Sequence, residues 1–145
     1  MVVGRNPPQK LLTEVKKRNL PWHVTGFVDD VRPFVYDADA CVIPLRIGSG
    51  TCVKAYEAIA MECPIVSTEI GVEGLSLMPE EHYLAADEAG DFAAAVTRLL
   101  QDVDLGNRLA RSARSFVEEN CSSKVAAQRF EEICWQAMKD PTSES

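Results

Sequence analysis

At 145 residues, with 46% hydrophobic and 26% charged side chains, the chain has the composition of a globular protein able to bury a core. Fifteen basic residues against 22 acidic ones leave a net charge of -7, with no basic stripe, which argues against counterion-driven binding to nucleic acid. No apolar run reaches the length of a membrane span, no signal-peptide pattern opens the chain, and the five cysteines show no metal-ligand spacing to one another or to His23 and His82. The expectation is buried reduced thiols, no metal, no cofactor and a cytoplasmic location.

Apolar and helical segments then alternate along the chain. Val2-Val3-Gly4 reads as the end of a strand. Pro7-Pro8 opens a helix with Leu11, Leu12 and Val15 on one face, ending near Asn19. Trp22 to Val28 reads as a strand that emerges at Gly26-Phe27, and Asp29 or Asp30 caps a short helix over Val31 to Tyr36, where Pro33 is tolerated in the first turn. Ala40 to Leu45 is a continuous apolar strand, the pattern of a parallel sheet covered on both faces.

A helix from Thr51 to about Glu62 presents Cys52, Val53, Tyr56, Ile59, Ala60 and Cys63 at core spacing, with Glu57 off that stripe beside Lys54 and Met61. Pro64 ends it, Ile65 to Thr68 is the next strand, Gly71 to Leu75 is a second glycine-bearing loop, and Tyr83 to Ala86 is a short last strand. Three apolar stripes close the chain as core or docking faces: Phe92, Val96, Leu99, Leu100 and Val103; Leu105, Leu109, Ala113, Phe116 and Val117; and Ala126, Phe130, Ile133, Cys134 and Ala137. Residues 139–145 are expected to be a disordered tail.

Repeated β-α units of this kind specify an α/β fold, a Rossmann-like parallel sheet with helices on both faces, whose ligands bind beyond the carboxyl ends of the strands. The glycines gather at those exits, above all in Pro44-Leu45-Arg46-Ile47-Gly48-Ser49-Gly50-Thr51. Glycines allow close approach of a ligand to the backbone, and Thr51 or Ser49 is placed to cap the following helix. The unpaired N–H groups of a helix start suit phosphate, and Glu57, six residues beyond Thr51, suits hydroxyl donors of a sugar or ribose. Read alone, the loop is equally a tight strand-to-helix turn, with Lys54 and Glu57 a surface pair. It matches neither the phosphate-binding loop with Gly-Lys-Ser/Thr nor the dinucleotide fingerprint.

Taken together, Thr25-Gly26-Phe27-Val28-Asp29-Asp30-Val31, Pro44 to Thr51, Lys54 with Glu57-Ala58-Ile59-Ala60-Met61, Pro64 to Thr68 and Gly71-Val72-Glu73-Gly74-Leu75 resemble, in order and distance, the nucleotide-sugar-binding lobe of retaining GT-B glycosyltransferases of the family 4 or group 1 type. The resemblance covers about residues 1–138 and implies half of a GT-B architecture with C-terminal helices. It implies that Gly26, Phe27 and Val28 contact the nucleobase through backbone groups, that Glu57 binds the ribose hydroxyls, and that N–H groups of Gly48, Ser49, Gly50 and Thr51 face the diphosphate or sugar of a nucleoside-diphosphate-sugar donor. Fixed donors of that kind stabilise charge on a departing nucleoside diphosphate without a metal.

The chain departs from that pattern in several places. Ser49 stands where many members carry a further glutamate, leaving Arg46 or Lys54 as candidates for the donor-sugar contact, and no residue is assigned as catalytic with certainty. Glu62 replaces a usual glycine and Cys52 a frequent basic residue. The likeness begins at the family's second strand of this lobe. It therefore lacks the first strand and helix, the basic pair that grips the diphosphate there, and the acceptor-binding amino-terminal domain. The expectation is a donor-binding lobe that does not transfer sugar alone, needs that missing domain as partner, and exposes a sheet edge for homo-oligomer formation. The other readings are a non-enzymatic α/β binding or assembly module and a lobe of an epimerase or phosphorylase of GT-B type.

Overall fold

In the computed structural model, which describes residues 1–48 and 52–139, the chain forms two compact units, Met1–Ala38 and Asp39–Ser145. Ser49, Gly50 and Thr51, and the tail from Asp140 onward, lie outside the described residues.

In the first unit, Val2 and Val24 form a parallel bridge, with Val2 N–H donating to the His23 carbonyl at 2.8 Å and Thr25 N–H to the Val2 carbonyl at 3.0 Å. The strand expected over Trp22–Val28 contracts to this single bridge. Trp22 and Phe27 are 51% and 59% exposed, and a two-segment ladder without a covered face has little to extend it. Helix α1 (Gln9–Lys17) starts behind Pro8, whose carbonyl accepts from Leu11 and Leu12, and it stops where Asn19 turns left-handed at φ 49°. Helix α2 (Arg32–Tyr36) is prepared by Asp30 rather than Asp29. One carboxylate oxygen accepts from the Arg32 backbone N–H at 2.9 Å, and the Arg32 guanidinium beside it holds the carboxyl below its usual pKa.

In the second unit, β1 (Cys41–Ile43), β2 (Ile65–Ser67) and β3 (Leu84–Ala85) form a parallel sheet in that order, with Cys41 opposite Ile65 and Val66 opposite Leu84. Every residue of β2 is buried, which requires cover on both faces of the central strand. Val66 and Leu84 pack with Leu99 of α4 (Ala89–Gln101) and with Leu105 and Leu109 of α5 (Val103–Cys121), and Phe92, Ala95 and Val96 close the edge of that cluster. Asp102 caps α5, its carboxylate accepting from Leu105 N–H at 2.9 Å. Leu100 and Val103, expected in the same stripe as Leu99, face solvent.

Helix α3 (Val53–Ala60) packs on β2 and α5 through a face shifted from the expected stripe, which keeps Ile59 and Cys63 buried and Cys52 and Tyr56 half-buried but leaves out Val53 and Ala60. Ala55, Ala58 and Ile59 are buried, whereas Ala60 is exposed and Val53 is 65% exposed. The buried face carries two alanines, and α5 likewise buries Ala110 and Ala113. Small side chains let helices approach closely, so burial here follows helix contact rather than side-chain size. The third expected stripe lies on α6 (Ser123–Lys139), where Phe130 is 69% exposed and Ile133 and Cys134 are exposed too. That face is not part of the core, and the helix runs through Lys139, one residue into the expected tail.

His82 is a satisfied core histidine. Its Nδ1 accepts from Met78 N–H at 2.9 Å and its ring lies 4.6 Å from that of Phe116. Burial pushes the Cys41 thiol above its usual pKa and that of Cys63 up to about 11. Because the Cys63 proton is held more tightly in the folded chain, its contribution to stability is complete below the ordinary thiol value of 9.0 and is lost as pH rises toward about 11. Iodoacetamide at about pH 8 is expected to label exposed Cys134 within minutes and to leave Cys63 unmodified until the chain unfolds, as read by peptide mass spectrometry. Equal labelling of both would contradict the packing of Cys63.

Candidate functional site

In the first unit, two chain exits lie side by side. Gly4 N–H donates to the Gly26 carbonyl at 3.1 Å, so Gly4-Arg5 and Gly26-Phe27 leave the same end of the parallel bridge together. Gly26 sits at φ 76°, a left-handed conformation that turns the chain and favours glycine. Space beside both glycines is open, since a Cβ added at Gly4 or Gly26 would meet nothing within 4 Å. Thr25 hydroxyl donates to the Gly26 carbonyl at 3.0 Å and steadies the turn. Among the described residues, the backbone N–H groups of Phe27 and Val28 make no hydrogen bond. The Arg5 guanidinium carbon stands 4.7 Å from the centre of the Phe27 ring.

In the second unit, Thr68 ties two exits together. Its hydroxyl donates to the Leu45 carbonyl at 2.6 Å and accepts from Gly71 N–H at 3.2 Å, anchoring the segment after β1 to the 3-10 turn Ile70–Val72. Ser67 hydroxyl donates to the Thr68 carbonyl at 2.8 Å, and Glu69 N–H donates to the Asp87 carboxylate at 3.1 Å. Ser67 and Thr68 were legible only as strand residues. The usable signal was a pair of hydroxyl side chains ending an otherwise apolar strand, where a buried hydroxyl needs backbone partners.

Gly71 proves to be a packing glycine rather than a ligand contact. A Cβ there would fall on the Ser67 hydroxyl and lie 2.9 Å from both the Ile43 carbonyl oxygen and an Ile43 side-chain carbon. Gly71→Ala is expected to destabilise the second unit by about 1–3 kcal/mol through overpacking against a backbone atom, read as a lowered midpoint of denaturant unfolding. Gly74, at φ 83°, makes the turn that follows.

Of the residues assigned to the phosphate-facing loop, Gly48 is exposed and Ser49, Gly50 and Thr51 lie outside the described residues. The expected cap at Thr51 or Ser49 therefore falls outside the described residues. Cys52 occupies the N-cap of α3, in extended conformation and without a side-chain cap hydrogen bond. Among the described residues, the N–H groups of Val53 and Lys54 therefore have no acceptor, leaving the positive end of the helix dipole open. Arg46, Lys54 and Glu57 are all exposed, and among the described residues the Glu57 carboxylate has no hydrogen-bond or ion-pair partner. Among the described residues, no group of His, Cys, Asp and Glu could hold a metal, and no helix is long and apolar enough to cross a membrane.

Parallel strands joined through helices and glycine turns make this a Rossmann-like α/β fold. Residues 1–102 match the family described as Glycosyl transferases group 1, and the chain belongs to that family. Its fold is that of the C-terminal lobe of the GT-B enzymes. An uncharacterized 44.6 kDa protein in the cps region of Klebsiella pneumoniae is 28% identical over 102 residues, which cover 70% of this chain and 26% of that protein.

Among solved structures, the C-terminal domain of the group 1 glycosyl transferase LpcC from Francisella tularensis superposes with a TM-score of 0.69 at 20% identity, over 79% of this chain and 62% of that one. Sucrose-phosphate synthase from Thermosynechococcus elongatus gives 0.77 at 23% identity, over 94% and 38%. TarM from S. aureus, in complex with fondaparinux, alpha-GlcNAc-glycerol and UDP, gives 0.73 at 18% identity, over 85% and 26%. The chain thus spans about a quarter of the curated relative it matches and less than two thirds of each of these structures.

Proposed function

We propose that this chain binds the nucleoside-diphosphate-sugar donor of a glycosyltransferase. The observation that carries this reading is the first turn of α3, whose N–H groups have no acceptor among the described residues, with the Glu57 carboxylate, likewise without a partner among them, on the same helix of a group 1 family chain. The N–H groups at the helix start supply fixed donors for a diphosphate, where negative charge builds as the nucleoside diphosphate departs. Glu57 accepts hydrogen bonds from the ribose hydroxyls, as a charged acceptor in contact with two adjacent donors does well. Taken by itself, the turn Gly26-Phe27-Val28 of the first unit has backbone N–H groups that make no hydrogen bond among the described residues and suit the edge of a nucleobase. Gly48, Ser49, Gly50 and Thr51 precede α3 in sequence and are assigned in this reading to the sugar or diphosphate; Arg46 and Lys54 are the cations nearest to them in sequence.

UDP in the TarM complex supports a nucleotide ligand for this fold. Donor binding is the property to test. Titration of the chain with UDP, GDP and ADP, each alone and as a sugar conjugate, is expected to shift amide resonances at Gly26 to Val28 and at Val53 to Glu57 for at least one nucleotide. A spectrum unmoved by all of them would reject the reading.

A further inference from the structure

Arg5 is set apart by a contact with a ring. Arg18, Arg32, Arg98 and Arg114 each hold a carboxylate at 2.8 Å, whereas among the described residues Arg5, like Arg46, Arg108, Arg111 and Arg129, makes no ion pair or hydrogen bond. Its guanidinium instead lies over the exposed Phe27 ring, 4.7 Å from the ring centre. A guanidinium is flat, always charged and weakly hydrated, so it stacks on aromatic faces and presents a second flat face outward.

The two residues reach this position through backbone geometry rather than through long-range packing. Gly4 N–H is bonded to the Gly26 carbonyl, so the residues that follow, Arg5 and Phe27, emerge as neighbours. Open space lies beside Gly4 and Gly26, and the unengaged N–H groups of Phe27 and Val28 adjoin it. A second planar group cannot enter between guanidinium and ring, since two stacked contacts need about 7 Å between the outer planes. It can lie on the outer face of Arg5.

We propose that Arg5 and Phe27 form a stacked platform for the nucleobase, with the base on the outer face of the guanidinium. Arg5 is then a residue that binds the base and not the diphosphate. The assignment rests on the donor-binding reading above and extends it to a side chain. Stacking on a flat cation tolerates any base, so the platform supplies affinity, while the free backbone N–H groups choose between bases by their edges. Phe27 acts through Arg5 by fixing its plane.

The test is a titration of the parent chain and of the Arg5→Ala, Arg5→Lys and Phe27→Ala variants with UDP, GDP and ADP, and in parallel with the corresponding nucleoside monophosphates, followed by amide shifts. Arg5 and Phe27 are exposed, so the variants are expected to keep the parent's dispersed spectrum. Arg5→Ala and Arg5→Lys should both weaken binding about five- to tenfold, since lysine keeps the charge but lacks the plane. The loss should be the same for mono- and diphosphates, and Phe27→Ala should lose part of it.

Parent-like affinity in Arg5→Lys would show that charge alone matters. Tighter binding by Arg5→Ala would show that the arginine competes with the base for the ring. A loss confined to diphosphates would return Arg5 to the phosphates. Any of these overturns the platform and leaves donor binding intact, whereas a parent chain that binds none of the nucleotides overturns both.

Discussion

Ile59→Ala is expected to lower the unfolding free energy of the chain by about 2–5 kcal/mol, the cost of deleting a fully buried aliphatic side chain and leaving a cavity. Ile59 is 1% exposed and lies on the face of α3 that packs against β2 and α5. Its neighbours on that face, Ala55 and Ala58, are too small to relax into the space. Val53→Ala on the same helix is the matched control. Val53 is 65% exposed, and its truncation should change stability by no more than about 0.5 kcal/mol. Ile59 lies on both the observed and the expected face, so Val53→Ala is the variant that separates them in denaturant unfolding. Equal losses would show that α3 is rotated toward the expected stripe, and an unmoved midpoint for Ile59→Ala would show that this helix is not packed as described.

Glu57→Ala is expected to do the opposite, leaving the unfolding midpoint unchanged and removing nucleotide affinity. Its carboxylate is exposed and makes no hydrogen bond or ion pair among the described residues, so the fold loses nothing when it goes. A charged acceptor that holds ribose hydroxyls contributes about 1.5–3 kcal/mol per hydrogen bond, which one bond alone converts to roughly a tenfold or greater loss of affinity. Glu57→Gln, which keeps an acceptor oxygen but not the charge, should lie between parent and alanine. Titration calorimetry with the nucleotide that binds the parent checks both variants. Equal affinity in Glu57→Ala would remove this residue from the donor site while leaving the uncapped helix start as a phosphate site.

Much of this architecture was legible in the chain because local rules and tertiary packing agree on it. Pro8 before α1, and apolar β1 and β2 lying in a parallel sheet, follow from backbone chemistry and periodicity alone. The same reasoning brought Gly4 and Gly26 to one end of the first unit and the segments after β1 and β2 to one end of the second. On α3 Ile59 was placed correctly, but Val53 was set in the core in place of Ala55 and Ala58 because it is the larger apolar side chain. The glycine at 71 was grouped with ligand turns, although its missing Cβ makes room for Ile43 and Ser67. Helix α6 has a regular apolar stripe and yet leaves Phe130 and Ile133 in solvent.

The order of residues by itself determined the element types, the parallel α/β class and the family, since each depends on spacing along one chain. Tertiary structure alone decided which helix face is buried, which glycine is steric, and that Arg5 stands over Phe27. Those are relations between segments brought together by folding, and periodicity within a segment does not encode its distance from another.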